Sequence, residues 1–180
     1  MMPSEQETAE VLGISRPTGT PSILWIAREV SRGLPLTALE RVAYKIAPDD
    51  KSFVYRFMPK ATWARRRKAH LAKANDIQPA AAGKKQARGR SNRTSRGSAV
   101  HEQSPAAVLS PEEGAKVARI AEVWTLARQV WGSDDAARAF LFRPHPMLEG
   151  QRPIDVALAN EFGRPLVEGI LGRLQYGSAA

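Results

Sequence analysis

Ser133, His145 and Asp155 are the residue types that hydrolases combine, and His145 is held between Pro144 and Pro146. A hydroxyl with a base within hydrogen-bond reach could do nucleophilic chemistry. No strained Gly-x-Ser-x-Gly turn surrounds Ser133, however, and these three residue types fall near one another in most chains. His145 therefore reads as a turn residue rather than a base. No phosphate-cradling GxGxxG or GxxxxGK[ST] occurs, and Gly163, Gly169 and Gly172 fit neither pattern. Cysteine is absent, so disulfides and thiolate chemistry are excluded. The three histidines (His70, His101 and His145) are too far apart in sequence for the usual spacing of a structural metal site. Neither an enzymatic activity nor a cofactor or metal is expected.

The chemistry the sequence does offer is phosphate binding. Net charge is +9, and it is concentrated: residues 60–97 hold twelve bases against one acid, Asp76. A block of this kind favours an anionic partner. Within it, Lys60, Thr62, Arg65, Arg66, Arg67 and Lys68 have the composition of a helix that reads bases near its start and grips phosphates along its length. The alternative for a charge run on a helix is a solvated face.

These residues need elements to position them. The sequence predicts an all-α chain in four parts. Residues 1–21, mixed Ser, Thr, Gly, Pro and Glu, read as a disordered or loosely packed leader. Residues 22–72 divide into four helices. Ser22 caps the first, which ends at Gly33; the second buries Leu36, Leu39, Val42, Ala43 and Ile46. A third, over Asp50–Phe57, carries Phe53, Val54 and Phe57, and the basic helix follows Met58-Pro59. The last two have helix-turn-helix dimensions. Residues 73–107 lack a large apolar residue between Ile77 and Val100 and read as a disordered basic linker, either a phosphate-binding arm or a simple tether.

Residues 108–180 hold the clearest helix signals. Ser110-Pro111-Glu112-Glu113 is a capping box with proline at the first helical position. Val117, Ile120, Trp124, Ala127 and Trp131 follow on one face of a long helix that Gly132 stops. Ser133-Asp134-Asp135 caps a second helix with Ala136, Phe140 and Leu141. A short helix starts at Pro153, and a last one runs over Arg164–Gln175. Leu171, Leu174, Trp124 and Trp131 are mostly core, with one of the two tryptophans expected at an interface. Gly169 and Gly172 are costly inside a helix, and serve either close packing or a smooth face for a partner.

The order of a long helix, a short helix, Phe142-Arg143-Pro144-His145-Pro146-Met147-Leu148, Gly150-Gln151-Arg152-Pro153 and Ile170-Leu171-Gly172-Arg173-Leu174-Gln175-Tyr176-Gly177 resembles the toxin-binding domain of the Xre/MbcA/ParS antitoxins. Gly33-Leu34-Pro35 and the Met58–Arg67 run also resemble the family's N-terminal Xre-like domain, with Trp63 where a leucine is usual. In most relatives the two domains follow closely, so the linker looks like an insertion.

The resemblance implies an antitoxin that binds a RES-type NAD-consuming toxin and covers its NAD cleft. Arg152, Pro153, Leu171, Arg173, Leu174, Gln175, Tyr176, Gly177 and Ser178 would be the toxin contacts. The N-terminal domain would dimerise and bind operator DNA through Lys60, Thr62, Arg65, Arg66, Arg67 and Lys68. No membrane-spanning run or signal peptide is evident, so a cytoplasmic protein is expected. The alternative is a stand-alone helix-turn-helix regulator that binds DNA or RNA and has no toxin partner.

Overall fold

A computed structural model describes residues 5–15, 24–76 and 108–177. Among them the chain is all-α: α1 (Glu5–Leu12), α2 (Trp25–Arg32), α3 (Leu36–Ile46), α4 (Lys60–Asp76), α5 (Pro111–Trp131), α6 (Asp134–Phe142), α7 (Pro153–Ala159) and α8 (Gly163–Tyr176). Two short 3-10 turns, Phe53–Arg56 and Pro146–Leu148, complete the list.

α5 is the axis of the molecule, about 30 Å long at 1.5 Å per residue. Its start is fixed by the capping box. Ser110 Oγ accepts from the Glu113 N–H at 3.2 Å, and the Glu113 carboxylate accepts from the Ser110 N–H at 2.8 Å. Its end is Gly132, left-handed at φ 70°. Between them Val117, Ile120, Ala121, Val123, Trp124, Leu126 and Ala127 are buried over most of the circumference, as befits a helix largely enclosed by others. Helices α1, α2, α3, α6, α7 and α8 all pack against it.

The leader departs from expectation. Residues Glu5–Leu12 form α1, which buries Thr8, Ala9, Val11 and Leu12 against α3 and α5. Four residues at spacings of one and two on eight positions are enough to close one side of the core, and the Gln129 amide also donates to Glu7. The predicted helix over Asp50–Phe57 is a second departure. Only the 3-10 turn Phe53–Arg56 forms there, because Phe53 and Val54, side by side in sequence, are both buried, with Phe57 ring-edge against Phe53 at 5.6 Å. The predicted Ser22 cap lies outside the described residues, and α2 begins at Trp25 after an exposed Leu24. Helix α4 extends through Asp76, past the expected boundary at residue 72; the rest of the linker, 77–107, lies outside the described residues.

The N- and C-terminal parts share one buried cluster that runs from Ala9 to Leu171. Beyond the linker the chain returns to the first part: the Leu109 N–H donates to the Leu34 carbonyl at 2.8 Å, beside an isolated bridge between Pro35 and Val108. Gly33 allows this approach, since a Cβ there would stand 2.3 Å from Val108 Cγ1. The division at 72/108 expected from composition is thus not a division of the core.

Candidate protein-docking face

Helix α8 carries two apolar stripes. Val167, Ile170 and Leu171 turn inward and are buried. Phe162, Leu166, Gly169, Arg173 and Tyr176 follow one another at intervals of four, three, four and three, which puts them on a second face of the helix. That face is open: Phe162 is 81% exposed and Tyr176 65%, with Leu166 and Leu174 about half exposed. Exposed apolar residues scattered singly need no explanation, whereas a run of them along one helix makes a candidate interaction surface.

Sequence reasoning could have found this face, because the second stripe is readable at helical spacing. Phe162 and Leu166 nevertheless went unassigned. Gly169 and Gly172 are not required for close packing among the described residues, since a Cβ on either would meet nothing within 4 Å. Gly163 is the glycine that close packing requires: a Cβ there would overlap the Val156 carbonyl oxygen at 1.8 Å, so α8 begins in direct contact with α7.

Of the expected contact residues, Arg173, Leu174, Gln175, Tyr176 and Gly177 are exposed together at the end of α8, where Gly177 caps the helix at φ 62°. Arg152 is exposed and pairs with Asp155 at 2.8 Å. Two others do not belong to the surface. Leu171 has no exposure and Pro153 is buried at the first turn of α7, so both act through packing. Ser178 lies outside the described residues. Trp124 is fully buried while Trp131 remains 42% exposed, which separates the two tryptophans into core and surface.

The basic helix α4 is divided in use. Arg66 Nη1 donates to the Glu113 carboxylate at 2.6 Å, in a partly buried pair that joins α4 to the α5 cap. Burial disfavours the Glu113 charge, but the Ser110 N–H and Arg66 outweigh it and hold the carboxyl below its ordinary pKa. Arg67 pairs with Glu40 at 3.3 Å and Thr62 is half-buried. Lys60, Arg65 and Lys68 are exposed. Arg65 and Lys68, three residues apart, share the side of the helix away from Trp63 and Arg66, whereas Lys60, three residues before Trp63, does not.

The three residues of the imagined triad are each engaged elsewhere. Ser133 Oγ accepts from the Ala136 N–H and caps α6. His145 Nδ1 accepts from the Met147 N–H at 3.3 Å, and its ring lies edge-on to Phe140. Asp155 pairs with Arg152 and Arg56. Among the described residues no group of three His, Cys, Asp or Glu could hold a metal ion, and no helix is long and apolar enough to cross a membrane.

No curated protein matches the chain. Residues 126–177, from the middle of α5 to the cap of α8, match the antitoxin Xre/MbcA/ParS C-terminal toxin-binding domain, which supports an antitoxin function and a toxin as protein partner.

Proposed function

We propose that the chain is the antitoxin of a RES-type toxin–antitoxin pair, inhibiting its toxin by covering the cleft in which NAD is consumed. The observation that carries this reading is the open stripe Phe162–Leu166–Gly169–Arg173–Tyr176, which lies within the segment matched to a toxin-binding domain. Its packed side, Val167, Ile170 and Leu171, fixes the helix on the body, so binding needs little ordering of the backbone. Residues 176–180 follow directly and would be held at high local concentration beside whatever cleft the helix reaches. Binding and inhibition then come apart. Truncation after Gln175 should keep most of the affinity for the RES-domain toxin and restore part of its NAD consumption, read by calorimetry and by NAD loss in excess antitoxin. Complete silencing by the truncated chain would transfer the inhibition from the tail to the helices.

The same protein would dimerise and repress its own operon, with Lys60, Arg65 and Lys68 on α4 facing phosphates. That α4 keeps Lys60, Arg65 and Lys68 exposed, while Arg66 and Arg67 serve ion pairs within the chain, supports this second role.

A further inference from the structure

At the junction of α5, α6 and α8 lies a hollow of about 280 Å³. Trp131, Phe140 and Leu174 form its apolar walls, His145 closes one end, and Ala136 and Ala139 leave the space open. The walls are ordered by their own contacts. Trp131 and Phe140 rings stand 6.0 Å apart, and Phe140 meets the His145 ring edge-on at 5.9 Å. The His145 ring is in turn held by the Met147 N–H, inside a loop that the His145 N–H closes on the Gln151 carbonyl. At the rim stands exposed Arg143, which makes no ion pair among the described residues.

We infer that this hollow is the anchor pocket for the toxin, taking one apolar side chain of leucine, methionine or phenylalanine class that stands beside a carboxylate. The inference rests on the antitoxin reading and adds to it which feature of the toxin is recognised. Three observations select this occupant. Every lining residue falls within residues 126–177, the segment matched to a toxin-binding domain. Leu174 belongs both to the hollow and to the exposed end of α8, so the pocket is continuous with the proposed contact face. The unpaired guanidinium of Arg143 is complementary to a carboxylate and unsuited to a second basic surface of this same chain. A preformed pocket walled by aromatic rings, with a charge at its edge, is where binding energy concentrates in protein interfaces.

The test uses the full chain and its RES-domain toxin. Ala139 is exposed, lines the hollow and sits on a helix, so Ala139→Trp fills the space from outside without repacking the core. Its thermal unfolding should match that of the parent, while affinity for the toxin falls by at least about thirtyfold, the size of one hot spot. Arg143→Glu should weaken the complex as well, with most of the loss in a salt-dependent term. In the parent complex, 5-fluorotryptophan NMR should show the Trp131 resonance move and lose its solvent exposure. If the parent chain binds the toxin but Ala139→Trp binds equally well and Trp131 stays exposed, the pocket is overturned and the antitoxin reading stands. If the parent chain does not bind the toxin, both fall together.

Discussion

Glu113 is a single carboxylate on which two helices depend. It closes the capping box of α5 and anchors the middle of α4 through Arg66. Its pKa is held below the ordinary 4.5, so its contribution to stability is fully present above that value and is lost as pH falls through the lower folded-state value. Glu113→Gln should therefore cost roughly 1–2 kcal/mol at pH 7, the worth of a cap with a charged partner. The difference from the parent should close as denaturant unfolding is repeated toward pH 3, and a pH-independent difference would remove the charge from the explanation. The glycines of α8 give a second test at this scale. Gly169→Ala and Gly172→Ala meet open space, so each should raise stability by up to about 1 kcal/mol through helix propensity. If that face admits a partner at close range, the same changes should weaken toxin binding. Gly163→Ala should do the opposite, costing roughly 3 kcal/mol by forcing α8 off the Val156 carbonyl while touching no exposed surface. Calorimetric melting and binding titration on the three variants separate the roles.

The elements were legible where local chemistry decides them and hidden where burial does. The caps at Ser110 and Ser133, the stop at Gly132 and the starts at Pro111 and Pro153 stand where turn and cap chemistry put them. Helix α1 was missed because Thr8, Ala9, Val11 and Leu12 form too short a pattern to distinguish from a tail until α3 and α5 are there to receive it. The Phe53–Arg56 turn was overread for the converse reason, since a local apolar cluster can fill a corner without forming a helix. Helix α4 was placed well as an element, but its charges could not be sorted from sequence, because Glu40 and Glu113 lie far from it along the chain. That sorting changes the DNA test. Lys60→Ala, Arg65→Ala and Lys68→Ala combined should leave the melting temperature unchanged and weaken operator binding, with the log–log salt slope reduced by up to about 3, roughly one per phosphate contact. Arg66→Ala should instead lower stability first. An unchanged salt slope in the triple variant, measured by gel shift across salt concentrations, would take α4 off the DNA.

At the scale of the whole molecule, the basic linker separates two stretches of sequence but not two cores. Composition shifts abruptly after α4, which suggests a tether between independent domains. What composition cannot register is that α5 is buried over most of its circumference, and that part of its cover comes from α1, α2 and α3. A fragment of residues 108–180 would expose the side of α5 that α1 and α3 cover, together with Leu109, whose N–H now donates to Leu34. Exposing buried aliphatic side chains costs roughly 1.5–3 kcal/mol each, so two or three of them are enough to exhaust the stability of a small domain. The fragment should therefore unfold without a sharp transition and bind a fluorescent apolar dye, although it contains every residue of the proposed toxin-facing surface. Adding residues 1–76 as a separate chain should restore cooperative melting, because the missing cover is supplied by contact rather than by the linker. Deleting residues 84–96 from the intact protein should leave the melting temperature within about 2 °C of the parent, because no large apolar residue is lost. If the isolated fragment melts cooperatively at the temperature of the full chain, the shared core is not what holds the C-terminal helices in place.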